Sequence, residues 1–343
     1  MAQINKPNEY FNSVLYTGNQ TQQTINVGFQ PDFVWIKSRN NTQVHALFDA
    51  VRGVSIGALQ SNAAAAENAN QKLVAYTSTG FTLPSVNYEW TNTTGWNFAS
   101  WNWLASNTTA SNTDGSITST VSANTTSGFS IVKYVGTGSN ATIGHGLNTA
   151  PTALFVKNLD AAEQWINYDV SNGATKYYHL NLTDAAAVGS TIWNNTAPTT
   201  SVFSVGTVAN VNSSGANYVA YCFSNIAGFS KIGSYTGNGN ADGAFVFTGF
   251  KPAFVLIKIT DNGSQDWFIL DSKRSPSNLV DDSIAPNQAD VEYTSEANLD
   301  FLSNGFKLRM TSIRVNASGS NYIYAAFAEN PFTTSSGIPT TAR

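Results

Sequence analysis

The sequence predicts an all-β protein: three tandem antiparallel β-sandwich repeats of about 100 residues each. Three observations predict it. A phrase, GFQPDFVWIK from Gly28 to Lys37, returns as GFKPAFVLIK from Gly249 to Lys258, and more loosely as GLNTAPTALFVK from Gly146 to Lys157. Short β-branched and aromatic runs alternate with Gly-, Asn- and Ser-rich turn signals at the spacing of sandwich proteins. Each copy of the phrase also sits in the same ordered set of landmarks, which is the mark of tandem duplication.

The landmarks begin with a Tyr-x-Gly turn at Tyr16-Thr17-Gly18, Tyr134-Val135-Gly136 and Tyr235-Thr236-Gly237. The phrase follows. Pro31 and Pro252 are expected at the strand entrance, where the missing N–H does no harm. FVWIK and FVLIK are nearly continuous apolar runs, as in a central strand covered on both faces. Next comes an aromatic strand ending in Asp: VHALFD at Asp49, WINYD at Asp169 and WFILD at Asp271, with the first copy lacking the Trp.

A long segment then leads to a short strand around Phe81, Phe203 or Phe306. In the first repeat that segment holds SNAAAAENANQKLVAY, where Ser61 or Asn62 is placed to cap a turn or two of Ala-rich helix, and LTDAAAVG at Leu182 is its counterpart. Each copy closes on an aromatic strand, NFASWNW, NYVAYCF or NYIYAAF. In the last, Tyr322, Tyr324 and Ala326 point one way and Asn321, Ile323, Ala325 and Phe327 the other.

These landmarks divide the chain into an N-terminal tail (1–9), repeats at 10–104, 129–226 and 227–332, and a C-terminal tail (333–343). A Ser/Thr/Asn-rich linker fills 105–128, although SITSTVSA within it has strand character. The second and third repeats abut through SNIAGFSKIGSY, a join short enough to imply fixed placement.

Composition narrows the function. Of 343 residues 42% are apolar, enough for buried cores, but only 11% are charged, against an average of about 25%. Such a polar, nearly uncharged surface suits assemblies, secreted proteins and virus particles. Net charge is −4 and the 17 basic residues are scattered, so nucleic acid is not an expected partner. The single cysteine, Cys222, excludes an internal disulfide framework and reads as a small buried apolar residue. The N-terminus lacks the features of a signal peptide and no apolar run approaches the roughly 20 residues of a membrane span. We therefore expect a soluble chain made in a cytoplasm, without membrane insertion. Asn-x-Ser/Thr triplets at Asn92 and Asn316 are products of composition.

No catalytic or metal constellation emerges. GVSIG from Gly53 to Gly57 matches a nucleophile elbow with Ser55, but the parallel sheet an elbow needs is not predicted and the later histidines, His145 and His179, lie in another repeat. Asn238, Asn240 and Asp242 in NGNADG alternate like the start of a calcium loop, yet the twelfth position is Gly249, so a hairpin turn is the simpler reading. His45, His145 and His179 lack zinc spacing, and His145 in GHG reads as a turn residue. Asp49, Asp169 and Asp271 recur once per repeat, which favours a turn or cap acceptor over a glycosidase pair. Trp101 and Trp103 share one face of a closing strand and are expected in the core. Tyr88, Trp90 and Trp96 remain as candidate glycan contacts, with Tyr88 and Trp90 in the polar loop NYEWTNTTGW. No cofactor is called for.

The phrases IGSYTGNG, GFKPAFVLIK, DFLSNGFKLR, NASGSNYIYAAFAENPF, SNTDGSITSTVSANTTSGFSIV and NYVAYCF resemble repeated-domain proteins encoded by tailed bacteriophages, especially marine ones, described as tail-fibre-like or virion structural proteins. The resemblance covers about Tyr10 to Phe332. It implies jelly-roll or lectin-like sandwiches, a virion component without catalytic motif, and a homo-oligomer, commonly a trimer. The missing Trp in VHALFD puts in doubt a role for that Trp in every repeat, and no heptad or collagen-like shaft is present. The expected function is thus a non-enzymatic virion surface protein that contacts other capsid or tail proteins and host-surface glycan. The alternatives are a polysaccharide-degrading enzyme, or its carbohydrate-binding module, and a bacterial lectin.

Overall fold

The computed structural model describes residues 3–340; residues 1–2 and 341–343 of the two predicted tails lie outside the described residues. The chain is all-β, and its paired strands are antiparallel. Helix among the described residues amounts to a turn at Pro7–Glu9 and two four-residue segments, Ser190–Trp193 and Ala209–Asn212. No described helix is long and apolar enough to cross a membrane.

One four-strand order recurs in all three repeats. In the first it runs Phe11–Thr17, Asn97–Trp103, Phe33–Ser38, Ala46–Asp49. The second repeats it with Phe129–Val135, Asn217–Phe223, Ala153–Asn158 and Ile166–Asp169, and the third with Ser230–Thr236, Asn321–Pro331, Phe250–Ile259 and Phe268–Asp271. In the third the sheet continues through Val280–Ile284, Tyr293–Leu302, Gly305–Leu308 and Phe245–Phe247, eight strands in all, and curls so that the far strands lie against Phe250–Ile259 in a nearly closed barrel.

The phrase strand is central, as its apolar run predicts, and all six residues of Phe33–Ser38 are buried. Alternation sends its two faces to different places. Val34 and Ile36 enter a core private to the first repeat, as Leu154 and Val156, and Val255 and Ile257, do in the others. Phe33 and Trp35 join a core to which all three repeats contribute. At its centre Trp103, Phe223 and Phe327, which occupy matching positions of the three closing strands, touch one another with ring centroids 6.2, 5.4 and 5.6 Å apart. The three sheets thus surround a pseudo-threefold aromatic centre.

The remaining landmarks have physical causes. Tyr16, Tyr134 and Tyr235 stack on the closing-strand rings of Phe98, Tyr218 and Tyr322 and donate their hydroxyls to Thr91, Val211 and Val315 carbonyls. The Gly two residues later passes so close to the backbone that a Cβ would lie 2.2–2.3 Å from a carbonyl oxygen. Asn92, Asn212 and Asn316 each accept from the turn that follows, at Asn19, Thr137 and Asn238 N–H. Asn92 and Asn316 of the Asn-x-Ser/Thr triplets are therefore buried structural amides.

Three expectations change. The Ala-rich segment after Ser61 is not helical. Its capping candidates are used elsewhere, Asn62 accepting from His45 N–H and Ser61 donating to the Pro286 carbonyl, and its backbone reaches across to a neighbouring repeat. Pro252 lies inside its strand at a register shift, the kind of irregularity that tolerates a proline, instead of at the entrance. Asn238–Asp242 is not a hairpin, because Ser230–Thr236 and Phe245–Phe247 pair with other strands. Within 105–128, Ala110–Asn112 and Ser119–Asn124 are strands that extend the second sheet.

Candidate functional site

The predicted contact residues sit where the first repeat folds over its private core. Tyr88 starts a turn, its carbonyl accepting from Thr91 and Asn92 N–H. Trp90 and Trp96 are half-buried and lean on that core, so each ring offers only part of a face. Glu89, the acid beside Trp90, accepts from Gln43. Trp101 and Trp103 are buried in the shared core, as expected.

The other candidates resolve into structural roles. Ser55 is exposed on the turn after Asp49, with no helix behind it. His145 closes its own turn, its Nδ1 accepting from Leu147 N–H, as the turn reading expects. Asp242 pairs with Lys307, while Asn238 and Asn240 accept from backbone N–H groups two residues ahead. Cys222 is buried among apolar side chains, and burial pushes its thiol up to about 12. The phrase lysines, Lys37, Lys157 and Lys258, are buried and donate to main-chain carbonyls; burial brings each down to about 8.

The recurring acids act as turn acceptors, and they also mark the seams between repeats. Asp49 accepts from Arg52 in its own turn and from the Tyr221 hydroxyl of the second repeat at 2.8 Å. Asp271 accepts from Arg274 in its turn and from the Trp101 indole of the first repeat at 3.0 Å. A second ring of contacts runs in the same sense. Trp165 donates its indole N–H to the Gln60 carbonyl of the first repeat, and Trp267 to the His179 carbonyl of the second. The first repeat has His45 at that position. The Trp35 indole donates to His45 Nδ1, so the proton is on Nε2, which donates to the Ala285 carbonyl of the third repeat. The histidine thus performs the part of the missing tryptophan, and burial holds its pKa well below the usual range.

A third ring lies nearer the surface. Glu67 N–H donates to the Leu159 carbonyl, Ala186 N–H to Thr260, and Glu292 N–H to Arg39, each across one junction. At two junctions the glutamate also pairs with the arginine three residues after the recurring Asp: Arg52 with Glu67, and Arg274 with Glu292, which Arg39 of the first repeat grips from the other side at 2.7 Å.

The junction between the second and third repeats keeps the Trp267 donor and the outer backbone bond but departs from this design in its polar side chains. Asn172 stands where the sisters have arginine and Ala186 where they have glutamate. Ala325 replaces Trp101 and Tyr221 as the residue facing the neighbour's Asp, and Asn167 stands where Leu47 and Ile269 do. Asp169 accepts from Ser171 and Asn172, with the Tyr178 hydroxyl of its own repeat also against it, and burial raises its pKa. Beside it a void of about 20 Å³ is lined by Asn167, whose buried amide has neither group paired. Outside Asn172 lies an open cleft of about 330 Å³, against about 120 Å³ beside the Arg52–Glu67 pair at the junction of the first and second repeats; a further groove of about 310 Å³ lies between the first and third repeats, beside Lys273 and Glu329. Sequence reasoning missed this site. The one legible signal was Asp-x-x-Arg in two repeats against Asp-x-x-Asn in the second.

A family model described as a domain of unknown function, DUF7483, matches residues 6–331, and the chain belongs to that family. No curated protein and no solved structure matches it.

Proposed function

We propose that this DUF7483 chain is a non-enzymatic surface protein of a phage particle, a tail-fibre, tip or capsid-decoration component that attaches to host-surface glycan. Its three repeats are taken as lectin-like sandwich units, and three copies as the expected assembly, held on the particle by other capsid or tail proteins. The observation that carries the reading is the way the acids are spent. Asp49 and Asp271, which a hydrolase would free for chemistry, are tied to arginine and to a neighbouring repeat's ring, so they lock a rigid scaffold together. The phage-like phrases and the sparsely charged surface agree with that reading.

The test is to label intact particles with antibody to this chain and image them by electron microscopy. Label at the tail tip supports attachment; label spread over the head supports decoration. Particles that carry no label would remove the virion assignment.

A further inference from the structure

We propose that the junction between the second and third repeats is the ligand site of this protein, and that it takes one unit of a neutral, polyhydroxylated ligand, a saccharide residue. The inference rests on the glycan-binding reading above for its ligand class; the place is argued from the three junctions themselves.

Duplication supplied three equivalent seams, and in two of them an arginine–glutamate pair fills the position outside the Asp turn, although the seam of the third repeat with the first carries a separate groove of about 310 Å³ beside Lys273 and Glu329. In each of those two seams a buried arginine from the Asp turn reaches a partly buried glutamate whose own N–H is fixed to the neighbouring repeat. The open seam has lost both partners together, to Asn172 and Ala186, while keeping the backbone bond that positions them. Losing one partner alone would strand a charge; losing both leaves a recess without the ion pair, on an unchanged frame. The recess, about 330 Å³, falls at the small end of the ~300–1,000 Å³ range of ligand pockets.

Its chemistry suits a sugar. One wall presents Asn172 and Lys176, the other Ser234, Thr260 and Asp261. Asp261 Oδ2 is held by Asn321 N–H and Nδ2, which fixes the carboxylate in place. One cation facing one anion gives no net charge to draw a phosphate or a polyamine, whereas amides, hydroxyls and a fixed carboxylate match the alternating donors and acceptors of sugar hydroxyls. Behind the recess, Asn172 also binds Asp169 at the inner void, where the unpaired Asn167 amide lies. That void has room for about one water, which would relay the ligand's contacts to Asp169.

The experiment is a titration of the ¹⁵N-labelled protein with neutral hexoses and N-acetylhexosamines, followed by amide chemical shifts. Saturable shifts centred on 171–176, 185–186, 234 and 260–261 are expected. The double variant Asn172→Arg with Ala186→Glu, which writes the sisters' ion pair into the open seam, is expected to abolish them while leaving the rest of the spectrum in place. Ser234→Arg, on an exposed wall position, is expected to do the same if the double variant folds poorly. Shifts that centre instead on Tyr88–Trp96, or on the groove of about 310 Å³ beside Lys273 and Glu329, would move the site and overturn this proposal while leaving glycan binding intact. No response to any sugar would overturn the ligand class, and the particle labelling would still decide the surface assignment separately.

Discussion

The junction of the third repeat with the first and the junction of the second with the third are built on one frame with opposite contents. Both keep a cross-repeat donor into a carbonyl, His45 to Ala285 in one and Trp267 to His179 in the other, and both keep the outer backbone bond. In the first, Trp101, Asp271, Arg274, Glu292 and Arg39 form a continuous network, buried at its inner end. In the second, Ala325, Asp169, Asn172 and Ala186 leave openings. The lesson is that the frame which fixes the repeats is carried by backbone bonds and aromatic packing. The polar contents of each seam are free to vary, and so can be turned from sealing to binding.

The largest effect that would break this comparison comes from Arg274. Arg274→Met strands the buried Asp271 carboxylate and is expected to cost about 3–5 kcal/mol in chemical denaturation. Asn172→Ala at the matching position is expected to cost under about 1 kcal/mol, since it removes one long side-chain bond to Asp169 (3.3 Å) and keeps the backbone N–H bond. Equal losses would mean that the seams are energetically alike.

His45→Phe tests whether the histidine replaces the missing tryptophan's donor. It leaves the buried Trp35 indole N–H unpaired and should cost about 1–3 kcal/mol by the same measurement. A neutral result would reduce His45 to a space filler.

The buried lysines set a pH dependence shared by all repeats. Their folded pKa of about 8 lies below the ordinary 10.5, so between those values the unfolded chain holds protons that the folded chain has released. Stability should therefore rise from pH 8 to about 10, by at most about 1.4 kcal/mol per pH unit for each lysine. Beyond pH 10 it should fall, because burial raises Tyr16, Tyr134 and Tyr221, and only the unfolded chain ionises there. Melting temperatures across this range check it, and Lys258→Met should flatten the rise by about a third. The smallest effect is expected from Asn172→Arg with Ala186→Glu, a gain within about 1 kcal/mol, which calorimetry would detect as an unchanged or slightly raised melting temperature.

Much of the fold was legible because strand chemistry is local. The phrase strands read as buried from Phe33–Ile36 alone, the closing strands from their alternation, and the recurring Asp from its fixed distance to the phrase lysine. The Ala-rich segment misled because alanine favours helix only when nothing competes, and here the backbone N–H groups of Glu67 and Ala186 bond to another repeat. The candidate site was hidden for a related reason. Glu67, Ala186 and Glu292 lie in loops of unequal length, so no register aligns them until the cross-repeat bonds are seen.

The sequence by itself determined that the chain is β, that it is written three times, and which strands carry the cores, since each of these rests on residue type and spacing along a few residues. The tertiary structure alone decided that Trp103, Phe223 and Phe327 meet in one centre, that a histidine serves where a tryptophan is missing, and that one seam of three lacks the arginine–glutamate pair of the other two. Those facts concern which groups face one another across repeats some hundred residues apart, and facing partners are set by the closure of the three sheets on a common core.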